Sequence, residues 1–306
     1  MHRIGLDVVP AGVRAAIEEQ LGAPIVGWAN KAGGYSPSLA AACELADGRR
    51  AFVKAVSTAQ NPDSPEMLRR ELFVGAALPA DLPAPRLLAA HDDGDWVAGA
   101  WALVEGRQPG APWTDADLDA TFAALRELAA ASDPSPVAGL PRWAEHCPNG
   151  WADLAAGSWP ALDPWSTAHA DALAAIEARW SGAVAGDALL HNDVRSDNLV
   201  IDGDGRVWVT DWANTQIGAA WLDVVSWFPA MALEGGPPPE EALARAGRLH
   251  GDPDPESVTT YLVALAGYFT HRALLPPPPG LPTLRPFQAA QGEVARAWVA
   301  DRTGLR

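Results

Sequence analysis

The sequence predicts an α+β chain in two lobes: a small antiparallel sheet lobe with one helix, then a larger, mainly helical lobe. Three observations predict it. Up to residue 104, short apolar runs alternate with turn residues, as in a sheet of short strands. From Pro109 onward the runs lengthen and take helical periodicity. Between them lies a short connector, in the stretch ALVEGRQPG. The expected parts are therefore residues 1–104, a hinge at 105–110, and a helical lobe at 111–306. A two-lobe chain with a connector is expected to hold its ligands in a cleft.

Each element has a local cause. Residues 11–21 (AGVRAAIEEQL) read as a helix and 24–30 (PIVGWAN) as a strand. Gly33-Gly34-Tyr35-Ser36 is a turn, and 38–45 (SLAAACEL) is the returning strand. Asp47-Gly48 is a hairpin signal before the strand at 49–56. Ser64-Pro65-Glu66 opens a helix that runs to Leu78: a serine cap, a proline in the first turn, and a glutamate matched to the helix dipole. Residues 86–91 and 96–104 read as strands around the turn Asp92-Asp93-Gly94-Asp95. Helices are expected at 113–131 (capped by Thr114), 165–181, 220–234, 239–248, 256–273 and 287–301. Residues 182–212 interrupt them with strand-like pieces, and prolines at 237–239 and 276–279 break them.

Composition narrows the function. The 306 residues are 48% hydrophobic, enough for a substantial core. Acidic residues outnumber basic ones 38 to 22, a net charge of −16 that argues against nucleic acid as a partner and suits a solvated acidic surface or a cationic substrate. The two cysteines, Cys43 and Cys147, form no Cys-x-x-Cys pair, so a zinc site built on such pairs is not indicated. No signal-peptide run and no membrane-length apolar run occurs, so a reduced, cytoplasmic protein without membrane association is expected, as monomer or weak homodimer.

The chemistry concentrates in His191-Asn192-Asp193-Val194-Arg195-Ser196-Asp197-Asn198, of the form His-x-Asp-x-x-x-x-Asn. Asp211 follows Asn198 after 13 positions, and a hairpin around Asp204-Gly205 lies between. Phosphoryl transfer needs this set of groups. A γ-phosphoryl group is densely negative and calls for Mg²⁺, a hard cation that takes oxygen ligands. Asn198 offers an amide oxygen and Asp211 a carboxylate, which a hairpin can bring to one metal site. Asp193 can accept or orient the proton of an attacking hydroxyl. His191 is expected to pack beneath the loop and fix it.

This constellation resembles the catalytic loop and metal-binding aspartate of the protein-kinase-like superfamily, and in detail the aminoglycoside phosphotransferase family. That family has Asp-Trp where protein kinases have Asp-Phe-Gly, and Asp211-Trp212 matches. Gly218 and Asp223 stand where it has a further glycine and aspartate. The resemblance implies a protein-kinase-like two-lobe fold whose sheet lobe binds nucleotide. It implies that Asp223 opens a helix and hydrogen-bonds the catalytic loop. It implies that Lys54, one of only two lysines, pairs with nucleotide phosphates and is held by Glu71. Glu66 is the competing partner, although a dipole role suffices for it in the first helical turn. The turn Gly33, Gly34, Tyr35 and Ser36 is similar to the family's Gly-Gly-aromatic-Ser/Asn turn over the phosphates; Lys31 is expected to face solvent. The backbone of Val104, Glu105 and Gly106 is implied to meet the purine, of ATP or of GTP.

Two positions depart from the family: Asn192 where glycine is usual, and Arg195 where histidine is frequent. Only 11 residues separate Asp211 from Asp223, too few for the activation segment that a protein kinase uses to dock peptides. A small hydroxyl-bearing molecule is therefore the expected acceptor. The leading class is an antibiotic of the aminoglycoside, nucleoside or peptide type; choline, homoserine or a sugar is the alternative, and a nucleotide-binding pseudokinase without turnover the rival. Most of the 14 tryptophans are expected in the core.

Overall fold

The structure is a computed structural model that describes residues 3–31, 38–278 and 281–306. In chain order its strands are β1 (Ile25–Asn30), β2 (Leu39–Leu45), β3 (Arg50–Ser57), β4 (Leu87–Asp92), β5 (Trp96–Ala102), β6 (Gly106–Arg107), β7 (Ala188–Leu190), β8 (Leu199–Asp202), β9 (Val207–Val209) and β10 (Gln216–Gly218). The helices are α1 (Ala11–Leu21), α2 (Ser64–Ala77), α3 (Asp115–Ala131), α4 (Gly150–Ala156), α5 (Pro164–Glu177), α6 (Trp180–Ala183), α7 (Leu222–Leu233), α8 (Pro239–Ala246), α9 (Pro255–Ala273) and α10 (Leu284–Thr303). They form two compact units: Met1–Gln108 with Asp197–Asn214, and Pro109–Ser196 with Thr215–Arg306.

The first unit is built on an antiparallel sheet of order β1-β2-β3-β5-β4. Strand alternation sorts β3 between two faces. Ala51, Val53 and Ala55 join the core formed with Val13, Ile17 and Leu21 of α1. Lys54 points the other way, toward the side where Leu68 and Leu72 of α2 pack with Val97 and Trp101. Register places Gly99 opposite Lys54. A Cβ at Gly99 would fall 2.5 Å from Leu72 and 2.6 Å from Trp101, so its glycine lets α2 lie close to the sheet beside Lys54.

A second sheet of the same unit has order β6-β8-β9. Its hairpin closes on Asp202, whose Oδ1 accepts from the N–H groups of Asp204 and Arg206, with Gly205 at φ +82°. Within the expected connector at 105–110, Gly106–Arg107 form a short strand against Asp202 and Ile201. A Cβ at Gly106 would lie 2.2 Å from the Ile201 carbonyl oxygen, so this approach requires glycine. The opening of α2 also differs. Asp63 is its N-cap and makes no side-chain cap bond, while Asn61 Oδ1 accepts from the Ser64 N–H at 3.0 Å.

The second unit is helical, with the small antiparallel pair β7–β10. Thr114, Asp163 and Asp254 cap α3, α5 and α9 through the N–H three residues on. The single helix expected at 165–181 is two, α5 ending at Glu177 and the short α6 beginning at Trp180. Helix α4 has no counterpart among the helices the sequence predicts. Its first N–H groups are satisfied by the buried Glu177 carboxylate, which accepts from Trp151 and Ala152 at 3.1 Å each. That bond set is invisible to local sequence reading. Among the described residues, no helix is long and apolar enough to cross a membrane.

Candidate active site

Lys54 of β3 donates to both carboxylate oxygens of Glu71 of α2, at 2.7 and 2.8 Å. Its ammonium also lies 3.2 Å from Asp211 Oδ1 and 5.6 Å from the centre of the Trp101 ring. Glu66 lies instead within 3.8 Å of Arg69. Burial works to lower the Lys54 pKa, but the Asp211 and Glu71 carboxylates more than offset it, so the ammonium is held above its ordinary value. Burial pushes the Glu71 carboxyl up to about 7 against the pull of Lys54.

The β8–β9 hairpin positions the oxygen donors. Leu199 pairs with Val209, which sets Asn198 and Thr210 at the same end of the ladder. The Thr210 N–H donates to the Asn198 carbonyl at 2.8 Å. Asp211 follows at φ +68°, a left-handed conformation that non-glycine residues adopt at a cost of about 1–3 kcal/mol. Trp212 is buried and anchors the next turn through its indole N–H to the Val209 carbonyl at 2.9 Å. Sequence reading missed Arg3. Burial lowers its pKa while the nearby Asp211 carboxylate opposes, so the N-terminal segment carries a cation to this carboxylate. No local pattern signals it.

In the second unit, His191 is fully buried and the Asp223 carboxylate accepts from two consecutive backbone N–H groups, His191 and Asn192, at 2.7 Å each. Asp223 lies in the first turn of α7, where the helix dipole favours a carboxylate. Burial nonetheless pushes its pKa up, with His191 and the two N–H groups pulling the other way. Asp193, half-buried, donates its N–H to His191 Nδ1 at 3.3 Å, and Arg195 Nε lies 3.5 Å from its Oδ1. The Arg195 guanidinium sits over the Phe287 ring of α10, 5.4 Å from its centre. Asn192 has φ +63°, and its Oδ1 accepts from the Trp143 indole at 3.1 Å. The two departures from the family pattern are thus each attached to an aromatic residue remote in sequence.

Gly33, Gly34, Tyr35 and Ser36 lie outside the described residues. Val104 is half-buried; Glu105 is exposed and paired with Arg50; Gly106 belongs to β6.

The donor set suits a hard divalent cation. Among the described residues no cluster of three or more His, Cys, Asp or Glu side chains forms a closed metal cage. Asp211 keeps a half-exposed carboxylate, with side-chain exposure of 48%, and Asn198 supplies an amide. One carboxylate, one amide, phosphate oxygens and water are the partners that Mg²⁺ takes in nucleotide sites.

A lysine paired with a helix glutamate beside an aspartate, on a five-stranded antiparallel sheet, is the arrangement that resemblance to the protein-kinase-like fold implies. The profile of the phosphotransferase enzyme family matches residues 32–261, and the chain belongs to that family. It is a small-molecule phosphotransferase. By sequence, no curated protein matches it. Among solved structures it is similar to the choline kinase LicA of Streptococcus pneumoniae, with a TM-score of 0.61 at 12% identity, over 93% of this chain and 98% of that one. A thermostable mutant of the aminoglycoside phosphotransferase APH(4)-Ia, in ternary complex with ADP and hygromycin B, gives 0.60 at 16% identity, over 94% and 98%. The amicoumacin kinase hAmiN, in complex with AMP-PNP, Ca²⁺ and Ami, gives 0.56 at 13% identity, over 90% and 88%. At these identities the likeness is one of fold.

Proposed function

We propose that the protein moves the γ-phosphoryl group of ATP or GTP to a hydroxyl of a small molecule, with an antibiotic of the aminoglycoside, nucleoside or peptide type as acceptor. The observation that carries this reading is the Lys54 ammonium held at 2.7 Å by Glu71 and at 3.2 Å by Asp211. A purely structural ion pair needs one carboxylate. Here a buried cation is shared between a helix glutamate and an aspartate left half-exposed, as a phosphate clamp beside a metal ligand requires. The fold likeness to kinases seen with hygromycin B and amicoumacin supports the antibiotic class. Likeness to a choline kinase supports the second reading, a metabolic kinase.

In this reading Lys54 grips the phosphates, with Glu71 fixing its direction. Asn198 and Asp211 would hold Mg²⁺, which when bound neutralises charge on the phosphate oxygens. Asp193 takes or steers the proton of the acceptor hydroxyl. His191 and Asp223 keep the loop backbone in place. The turn 33–36 is assigned to the phosphates and the backbone of 104–106 to the base. Residues 1–104 form the nucleotide-binding lobe, 105–110 the hinge, and 111–306 carry the catalytic loop and the acceptor site; the protein acts in the cytoplasm.

The test is nucleoside-diphosphate release from ATP and from GTP with Mg²⁺, across hydroxyl-bearing antibiotics, choline, homoserine and sugars, with Asp193→Ala beside wild type. Acceptor-dependent release that disappears in the variant is expected. Nucleotide binding with no release for any acceptor would favour a binding module instead.

A further inference from the structure

We propose that Glu234 is a positioning residue: it holds Ser196, and through Ser196 the loop backbone that carries Asp193. The proposal rests on the phosphotransferase reading for its catalytic meaning. Its structural content stands on separate contacts.

Two donors remote in sequence converge on this one carboxylate. Ser196 Oγ donates to Glu234 Oε1 at 2.6 Å, and the Trp113 indole donates to Oε2 at 2.9 Å. Trp113 is itself buried, its ring edge 5.0 Å from Trp227. The carboxylate is thus oriented by the core of the unit. Space for the contact is cleared by two left-handed glycines. A Cβ at Gly110 (φ +91°) would lie 3.1 Å from the Trp113 indole nitrogen and 3.2 Å from Ser196 Cβ. A Cβ at Gly235 (φ +81°) would lie 3.1 Å from Pro112.

Electrostatics argues that the contact serves more than helix stability. Glu234 is the C-cap of α7, and its N–H closes the last turn onto Ala230 and Met231. A helix C-terminus carries partial negative charge and disfavours a carboxylate. The same helix bears Asp223 in its first turn, at the favoured end, and Asp223 holds the loop at His191 and Asn192. One helix therefore grips the loop on both sides of Asp193. The rise from Asp223 to Glu234 is about 16 Å. The chain from Asn192 to Ser196 reaches about 13–14 Å when extended, comparable once side chains are added. Fixing both ends limits how far the Asp193 carboxylate can wander, and small misplacements of a catalytic group cost rate steeply.

The experiment uses the full chain with Ser196→Ala, Ser196→Thr, Glu234→Gln, Glu234→Ala and the double variant Ser196→Ala/Glu234→Ala. Backbone hydrogen exchange over 191–198 is measured by mass spectrometry, beside kcat and KM for Mg²⁺-nucleotide turnover with acceptor or water. Exchange is expected to rise about tenfold across 191–198 in both alanine single variants, with the rest of the chain unchanged. Turnover should fall about tenfold in kcat at unchanged nucleotide KM, with Tm unchanged in Ser196→Ala and modestly lowered in Glu234→Ala, which also leaves the buried Trp113 indole without its acceptor; the double variant should lose no more kcat than either single one, and Ser196→Thr should restore the rate. Glu234→Gln, which keeps one acceptor for two donors, should fall between. Unchanged exchange over 191–198, additive losses, or protection lost throughout the unit with a lowered Tm in Ser196→Ala would overturn the proposal. An Asp193→Ala variant that keeps turnover would sink the phosphotransferase reading instead, and the exchange arm tells the two failures apart.

Discussion

The Lys54 ammonium and the Glu71 carboxylate form a two-oxygen contact between β3 and α2, at 2.7 and 2.8 Å, in a site where both side chains are largely withdrawn from water. Such a pair fixes the direction of the ammonium at the cost of desolvating two charges. The cost is visible in Glu71, whose pKa burial raises to about 7. A group raised on folding contributes stability below its ordinary value, 4.5 here, and loses it as pH climbs through 7. Lys54 opposes that rise, so Lys54→Met should carry the loss to higher pH. In nucleotide-free, metal-free buffer, the stability deficit of Lys54→Met in urea unfolding should be larger at about pH 8.5 than at about pH 5. Turnover should fall about 100-fold or more. A deficit independent of pH would mean that Glu71 does not bear the burial cost.

Asp211 is expected to fail differently. Its left-handed backbone, φ +68°, suits glycine better than aspartate, so the conformation is kept at a cost that the carboxylate must justify. Asp211→Gly relieves that backbone but takes from the buried Lys54 ammonium one of its two carboxylates, so the net change in stability should be small while Mg²⁺-dependent nucleotide affinity falls by about tenfold or more. Titration calorimetry with and without Mg²⁺ separates the two effects. Equal affinity in variant and wild type, with Mg²⁺ present, would overturn the proposed metal role of Asp211.

What was legible in the sequence follows from what constrains it. Residues 191–211 are readable because the His-x-Asp-x-x-x-x-Asn spacing stands out in the sequence and Asp204-Gly205 declares its hairpin locally. The strands around Asp47-Gly48 and the helix after Ser64 are readable for the same local reasons. The contacts that set the loop are not. Trp143 meets Asn192 across 49 positions and Glu234 meets Ser196 across 38, and nothing in either neighbourhood marks the partner. Helix α4 escaped notice because its N-terminus is satisfied by Glu177, over 20 residues downstream. Strand β6 escaped because two residues carry no period.

Asp223 supplies the next test. Its two oxygens take the N–H groups of His191 and Asn192, the first in a buried and the second in a part-buried bond. Asp223→Ala leaves two donors without their acceptor, at about 1–3 kcal/mol each, and should lower stability by a few kcal/mol. Asp223→Asn keeps one oxygen and should lose roughly half as much. Denaturant midpoints at constant slope measure both. An Asp223→Ala variant as stable as wild type would show that the loop finds other acceptors.

The last prediction concerns α4 and α9, which meet at two glycines. A Cβ at Gly150 would lie 2.2 Å from the backbone of Gly267, and one at Gly267 would lie 2.5 Å from the Trp151 ring and 3.0 Å from Glu177. Trp151 is fully buried and donates its indole N–H to the Val263 carbonyl at 2.7 Å, so it has no room to withdraw. Backbone and a clamped ring cannot give way as a flexible side-chain tip can. Gly267→Ala should therefore cost at least about 1–3 kcal/mol despite the better helix propensity of alanine, which alone would stabilise α9 by about 1 kcal/mol. Gly12→Ala in α1, where a Cβ would meet nothing within 4 Å, is the matched control and should be stabilising. Urea unfolding of the two variants decides it. If Gly267→Ala gains stability as Gly12→Ala does, the α4–α9 contact is looser than the distances require.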